Sequence, residues 1–457
     1  MNTLSDELKE QEYLGYWWLP TNDVQQHDDL AGVIRFAPNS RSELELLGSF
    51  GKTMPQVHDK CPVVNGAAHG TKWFTLFDCY LRHCNQNFSE TIELAAVRYC
   101  FADGWIGSRP YSSKDDIRFL RFTAGIDGLA SWHDAKAFSW DYDPDSNITV
   151  LRYQRPDFLE LYKDDWVEIK LGYCREGPSL ARAQRESVIS HDPRILIDSL
   201  GGELPYYGGR GSYRFYLDRL RTILGLMIGL GCPLYDCVGS TEVRRSTSDD
   251  GVAPKVELRH WWRRDIEDAQ SISPWEIWLP HKDVADYIQT AIGKFMVLDD
   301  DCAGLAGHIV YMNASRRTDF TQKVLPELIY LFEGLYRGIW RPKKCRGEVL
   351  SPWLKAEFSR IGNIFSFLDS DAQDKLIKYV KARRNNYAHA NPESYSKNIM
   401  LYIHATNWLR MFLTAMLFDY CEIPVSVILS TFCKQPEFIE FAKDLKPMLN
   451  DWFSNND

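Results

Sequence analysis

The hydrophobic pattern of this chain changes character along its length, and that change limits the folds it can adopt. Between residues 166 and 173, Val167, Ile169 and Leu171 alternate with Glu168 and Lys170, which predicts a strand with one solvated face. Beyond about residue 283, apolar residues instead recur at helical spacing. The sequence therefore predicts an α+β protein, β-rich on its N-terminal side and all-α on its C-terminal side.

The individual elements follow from the same two periodicities. Further strand patterns lie at residues 13–50, 91–101, 148–154 and 256–262. A helical stretch is expected at residues 212–230, and apolar stripes predict helices around residues 324–339, 353–368, 376–384, 394–420 and 438–449. Successive helices joined by short loops favour a bundle at the C-terminal end.

The chain has 457 residues, which exceeds one ordinary core, so two or three domains are expected. We place a β-rich domain at residues 1–175, a mixed α/β continuation at 176–314 and a helical bundle at 315–457. The 11 cysteines show no framework spacing, and the N-terminus has no apolar signal region. The longest apolar run, residues 223–231, is far shorter than a membrane span. These features predict a cytoplasmic protein without a membrane segment.

One short motif carries the chemistry expected of a phosphodiester site. Arg384 is followed by Asn385 and, five positions after the arginine, by His389. Cleaving RNA without a metal requires a fixed positive charge on the phosphate, which a guanidinium supplies. It also requires a group that moves protons near neutral pH, and a histidine has an ordinary pKa of about 6.5. The ribose 2′-hydroxyl can then be the nucleophile.

The spacing of the motif adds a geometric condition. Five residues of α-helix rise about 7.5 Å and turn the side chains about 140° apart, so a straight helix does not bring Arg384 and His389 to one phosphate. Either the helix ends between them, as Asn385, Asn386 and the later Asn-Pro favour, or two copies meet across a dimer axis. We expect both.

Two stretches of the chain resemble known families. The motif, on a helix that opens with a Ser370-x-x-Gln373 capping box, resembles the HEPN domain, over roughly residues 315–457. Near the N-terminus, a Gly-aromatic-Trp-x-Pro element at residues 15–20 and a strand pair ending in Leu-Leu-Gly-Ser-Phe at residues 46–50 resemble the N-terminal domain of ApeA-type proteins. Those are bacterial abortive-infection proteins whose C-terminal part is a HEPN domain, so both resemblances fall in the expected order.

The resemblances imply an antiphage, toxin-like endoribonuclease that acts without a metal or cofactor and leaves a cyclic phosphate and a 5′-hydroxyl. Arg384 would hold the phosphate, His389 would move protons and Asn385 would orient one of them. The RNA backbone would bind to the basic side of the motif helix, at Lys378, Lys381 and Arg383. Family precedent suggests a homodimer, transfer RNA as the substrate, and an N-terminal region that senses a phage-derived trigger or restrains the nuclease.

The alternative is a non-catalytic interaction protein, in which the bundle is only a dimerisation or ligand-binding module. The presence of Arg384, Asn385 and His389 together favours the enzyme, because a degenerate copy would be expected to lose at least one of them. The net charge of −9 requires any RNA contact to be local.

Several weaker sequence patterns could indicate a functional site but also have an ordinary structural interpretation. The Gly-Lys-Thr at residues 51–53 lacks the first glycine of a phosphate loop and reads as a turn. His69, Cys79, His83 and Cys84 match no zinc spacing and read as ordinary residues. Residues 208–211, Gly-Gly-Arg-Gly, either cradle a phosphate at a helix start or form a loop. The basic run Arg337, Arg341, Lys343, Lys344 and Arg346 is either an RNA contact or a solvated face, and His404 is either catalytic or a core or surface histidine.

Overall fold

The computed structural model of the chain describes residues 11–20, 29–36, 42–50, 60–68, 72–85, 96–135, 137–145, 147–176, 190–241, 255–260, 276–314, 323–340, 350–388 and 399–454. The chain divides into two compact units. The first comprises residues 1–127, 135–217 and 233–269, and the second comprises residues 128–134, 218–232 and 270–457. The domain boundaries expected at residues 175 and 314 stay predictions.

The first unit is built on antiparallel strands. In chain order they are β1 (Gln11–Trp18), β2 (Leu30–Phe36), β3 (Glu43–Leu47), β4 (Lys60–Ala68), β5 (Lys72–Asn85), β6 (Ala96–Cys100), β7 (Asp103–Gly107), β8 (Arg118–Phe119), β9 (Arg121–Ile126), β10 (Phe138–Asp143), β11 (Ile148–Tyr153), β12 (Leu159–Lys163), β13 (Val167–Glu176), β14 (Ser190–Ser199), β15 (Leu204–Pro205), β16 (Leu234–Ser240) and β17 (Lys255–His260).

Thirteen of these strands form one sheet in the order β12-β13-β14-β9-β16-β17-β7-β5-β4-β1-β2-β3-β6. Strand β6 pairs with both β3 and β5, so the pairings β5-β4-β1-β2-β3-β6 close into a ring of six strands. The remaining pairs, β10 with β11 and β8 with β15, form two small sheets.

A core of apolar side chains fills the inner face of this ring. On β2, Ile34 and Phe36 are buried while Val33 and Arg35 alternate with them, as the period of two in a strand requires. Trp17 of β1 is fully buried and lies against Gly66 of β4, where a Cβ atom would stand only 2.2 Å from the indole ring. Glycine at residue 66 is what allows the tryptophan to enter the core.

The second unit is helical. The helices of the chain are α1 (Leu129–His133), α2 (Tyr213–Ile228), α3 (His281–Val284), α4 (Ile288–Met296), α5 (Asp300–Ala314), α6 (Val324–Trp340), α7 (Leu350–Ile361), α8 (Ser370–Ala388), α9 (Ile399–Tyr420), α10 (Val425–Phe432) and α11 (Pro436–Ser454). The division between the units falls within α2.

Helix α9 is the centre of the second unit. Its residues from Leu401 to Phe418 are nearly all buried, as expected for a helix that is apolar on every side, and it contacts α5, α6, α7, α10 and α11. Helix α8 contacts α6, α7 and α11. Pro326 is tolerated in the first turn of α6 because no intrahelical bond is lost there.

The predicted fold class is confirmed: strands fill the N-terminal part of the chain, helices fill the C-terminal part, and the protein is α+β. Helix α10 was not predicted. Its eight residues follow Pro424 directly, and a run this short gives a weak periodic signal.

Candidate functional site

Helix α8 carries the motif and begins with a side-chain cap. The backbone N–H of Ala372 donates to Asp369 Oδ1 at 2.9 Å, and the Gln373 side chain donates to the carbonyl of residue 368 at 2.9 Å. The capping box predicted from Ser370 to Gln373 is therefore wrong, because the cap is Asp369 and Gln373 donates to a carbonyl instead of accepting a backbone N–H. Asp369 caps the helix because its carboxylate reaches the third N–H of the first turn, and Ser370 is the first helical residue.

Three cations lie in one row along α8. Lys378, Lys381 and Arg384 are spaced three residues apart, so they neighbour one another on the helix surface, and Asn385 follows. Lys378 is exposed, whereas the other three are half-buried. The row leads toward the C-terminal end of the helix, where the helix dipole favours positive charge.

Arg384 is held by an acidic side chain of α6. Its Nε atom lies 3.1 Å from Glu333 Oε1, and its Nη2 atom lies 3.3 Å from Glu333 Oε2. The Nη2 contact is a hydrogen bond, whereas the Nε contact is an ion-pair distance without hydrogen-bond geometry. Both contacts lie on the same edge of the planar guanidinium. The Glu333 side chain is 11% exposed and that of Arg384 is 35% exposed. The carboxylate is therefore the inner partner of the pair.

Glu333 was not predicted from the sequence as part of the site. This acid falls within the apolar stripe of α6, directly after Phe332, and is itself buried. A buried carboxylate is costly unless it is paired, so a lone acid on a core-facing stripe was a signal that an arginine or lysine lies nearby. The identity of that partner depends on α8 contacting α6, which local periodicity does not show.

Arg383, next to Arg384, is placed differently. It is 4% exposed, and its guanidinium carbon lies 4.9 Å from the centre of the Tyr379 ring. Tyr379 is fully buried, and burial raises the pKa of its hydroxyl while Arg383 opposes that rise. Arg383 thus supports α8 from within, and its predicted contact with RNA stays a prediction.

His389 lies outside the described residues. Helix α8 is described as far as Ala388 and includes Asn385 and Asn386, so these two residues do not interrupt the helix. The role of His389, and its approach to Arg384 within one chain or across a dimer, stay predictions.

A second buried carboxylate provides a comparison within the same unit. Glu357 of α7 lies 3.2 Å from Arg360 Nη2, and the same nitrogen lies 2.7 Å from Asp419 Oδ2 of α9. The Arg360 guanidinium carbon also lies 3.6 Å from the centre of the Trp340 ring. Burial raises the pKa of Glu357 to about 7, against the opposing effect of Arg360, and burial also raises the pKa of Asp419.

The structure describes some of the other predicted candidate residues and not others. His404 is buried in the core on α9, as one of its predicted alternatives requires. Ser212 Oγ donates to the Gly208 carbonyl at 3.0 Å and accepts the Phe215 N–H at 3.4 Å. The glycine-rich stretch is thus a capped loop that leads into α2, and phosphate binding there stays a prediction. Arg337 of α6 lies over the Trp353 ring at 5.8 Å. His69, residues 51–53 and residues 341–349 lie outside the described residues.

The described part of the chain has neither a clustered metal site nor a membrane-spanning helix. No group of three His, Cys, Asp or Glu side chains among the described residues is arranged to hold a metal ion. Within the same residues, every helix is too short or too polar to cross a membrane.

Comparison with known proteins bears on the N-terminal side of the chain. Residues 12–203 match the family model for ApeA N-terminal domain 1, which covers less than half of the 457 residues. The match supports an ApeA-like protein, and this domain is associated with antiphage abortive-infection proteins. No curated protein and no solved structure matches the chain. The helical unit that carries Arg384 lies beyond the matched residues.

Proposed function

We propose that this protein is an antiphage abortive-infection effector whose helical unit is a HEPN-type, metal-independent endoribonuclease. The observation that carries the proposal is the setting of Arg384. A buried carboxylate holds this arginine at the end of a row of cations on α8, and His389 follows five residues later in sequence. The ApeA-like match at residues 12–203 supports the defence role.

The reaction uses the substrate's own nucleophile. The 2′-oxygen attacks the adjacent phosphorus while the bond from phosphorus to the 5′-oxygen breaks, which leaves a 2′,3′-cyclic phosphate and a 5′-hydroxyl. Arg384 stabilises the charge that builds up on the phosphoryl oxygens. His389 removes the 2′-hydroxyl proton or protonates the leaving oxygen, and Asn385 orients the phosphate or the imidazole. Lys378 and Lys381 bind neighbouring phosphates of the RNA.

The remaining assignments follow from the HEPN and ApeA resemblances. The helical unit dimerises and so brings two copies of the motif together. The substrate is a cellular RNA, with transfer RNA as the first candidate. The N-terminal region senses a phage-derived trigger or restrains the nuclease until infection.

The test is cleavage of total RNA by the purified full-length protein in EDTA, with detection of cyclic-phosphate ends, alongside phage plaque counts in cells. His389→Ala is expected to abolish both activities. His308→Ala, which changes an exposed histidine of α5, is the matched control and should retain both. Unchanged cleavage and unchanged phage restriction in His389→Ala would defeat the assignment. If the wild type leaves RNA intact even when taken from phage-infected cells, the non-catalytic dimerisation or ligand-binding module is the better description.

A further inference from the structure

The edge of the Arg384 guanidinium that faces Glu333 determines which edge could bind a substrate phosphate. A guanidinium has five N–H donors in one plane. Glu333 lies against the edge formed by Nε and Nη2, where Nη2 donates a hydrogen bond and Nε lies within ion-pair distance. The other edge, formed by Nη1 and the second N–H of Nη2, points away from the carboxylate. That second edge has the spacing that matches two oxygens of a phosphate.

The burial of the two side chains orients those edges. Glu333 is 11% exposed and Arg384 is 35% exposed, so the edge occupied by the carboxylate is the inner one. The row of Lys378 and Lys381 lies on the same helix surface as Arg384. A phosphate that approaches along this row reaches the helix surface on which Arg384 lies.

We propose that Glu333 is a positioning residue, which locks the Arg384 guanidinium from its inner edge so that its outer edge receives the scissile phosphate. This inference rests on the proposed function, and it assigns to α6 a part of the site that the motif on α8 does not contain. Glu333 acts through Arg384 and does not touch the RNA. It fixes several rotatable bonds of the arginine before substrate binds, so the transition state does not have to order them.

The opposite role for Glu333 would be a restraint that competes with phosphate for Arg384. A competing carboxylate would be expected on the outer side of the guanidinium, where it could exchange with substrate. The low exposure of Glu333 places it on the inner side instead. The two roles predict opposite signs when the carboxylate is neutralised, because loss of a lock slows cleavage and loss of a restraint speeds it.

The kinetic test compares Glu333→Gln with Glu357→Gln in the full-length protein. Glutamine keeps the shape of each side chain but removes the negative charge that pairs with the arginine. In Glu333→Gln, kcat for a fluorescent RNA oligonucleotide is expected to fall by about tenfold to a hundredfold, the order of loss that misplacing a reacting group causes. KM should change by less than about threefold, since the loss is specific to the transition state. Glu357→Gln, at another buried acid on the next helix, should keep both constants. Cleavage by Glu333→Gln at or above the wild-type rate would overturn the proposal.

A second readout does not require cleavage. Phenylglyoxal modifies exposed guanidinium groups, and mass spectrometry reports the modification of Arg384 separately from that of Arg360. Arg384 should react faster in Glu333→Gln than in the wild type, with Arg360 unchanged. If the wild type cleaves no RNA but Arg384 becomes more reactive in the variant, the proposed function fails while the lock on Arg384 stands. If the reactivity of Arg384 is the same in both proteins, Glu333 does not position it and the inference fails.

Discussion

Two buried glutamates of the helical unit, Glu333 and Glu357, each pair with an arginine, yet the surroundings of the two arginines differ. Arg360 contacts two carboxylates and lies over the Trp340 ring. Among the described residues, Glu333 is the single acidic partner of Arg384. Exposure does not separate them, since the side chains are 31% and 35% exposed. The number of acidic partners does separate them, because Arg360 lies near two carboxylates and Arg384 near one.

The two arginines also belong to groups with different expected roles in the helical unit, one in stability and one in cleavage. The group of Glu357, Arg360, Asp419 and Trp340 links α6, α7 and α9, and its charged groups lie within ion-pair distance of one another. The pair of Glu333 and Arg384 links α6 to α8, and Arg384 shares one helix surface with two lysines. We therefore expect substitutions in the first group to affect stability, and substitutions in the second to affect cleavage.

The largest expected effect is the loss of kcat in Arg384→Lys, compared with Arg360→Lys. A lysine keeps the charge but cannot present one edge to Glu333 and another to a phosphate. Loss of such a donor lowers kcat by about a hundredfold to a thousandfold in comparable sites. Arg360→Lys should leave kcat within about threefold of the wild type, since it touches no substrate. The measurement is single-turnover cleavage of an RNA oligonucleotide, and equal losses in both variants would remove the distinction between the two arginines.

The second prediction concerns how Glu357 changes stability with pH. Burial raises its folded-state pKa from 4.5 to about 7, so the folded protein binds this proton more tightly than the unfolded chain does. The resulting stabilisation is complete below about pH 4.5 and is lost as the pH rises through 7. Between pH 5 and pH 8, the unfolding free energy of Glu357→Gln should therefore gain about 1 to 3 kcal/mol relative to the wild type.

Other titratable groups also change the free energy of unfolding with pH. The effect of Glu357 must therefore be measured as the difference between the wild type and Glu357→Gln. Burial, together with His281, lowers the pKa of His133 to about 4, so His133 destabilises the fold as the pH falls from about 6.5, the opposite direction. The contribution of His133 is common to the wild type and to Glu357→Gln, and it cancels in the comparison. The measurement is urea unfolding followed by helical circular dichroism. Parallel pH profiles for the two proteins would show that Glu357 does not carry the effect.

The sequence predicted most of the fold because local periodicity decides it. The alternation of Val167, Ile169 and Leu171 lies within β13, and the apolar stripe from residue 324 to 339 lies within α6. The ring closed by β6 was not predictable, because alternation shows which face of a strand is buried and not which strands it pairs with. The sequence alone does not identify the cap of α8, because Asp369 and Ser370 are both good capping residues and Asp369 is the one that accepts the Ala372 N–H.

The candidate site divides in the same way. The motif on α8 was readable because Arg384, Asn385 and His389 are near one another in sequence. Glu333 lies on another helix, and its pairing with Arg384 depends on tertiary packing. Arg383 and Arg384 are adjacent and chemically identical in sequence, and only the fold places one inside over Tyr379 and the other in the surface row.

The smallest expected effect concerns which cations of α8 bind RNA. If Lys378 and Lys381 each neutralise a phosphate, Lys→Gln at either residue should weaken binding of a 2′-deoxy oligonucleotide at low salt. The slope of log affinity against log salt should then shrink by about 0.7 for each phosphate that is no longer neutralised. Lys355→Gln, on α7 and paired with Asp374 at 2.8 Å, is the matched control and should leave the slope unchanged.

Arg383→Gln provides a second comparison. Because Arg383 is buried over Tyr379, replacing it should lower the free energy of unfolding without changing the slope. A slope reduced by Arg383→Gln and not by the lysine variants would reverse the assignment of inner and outer faces on α8.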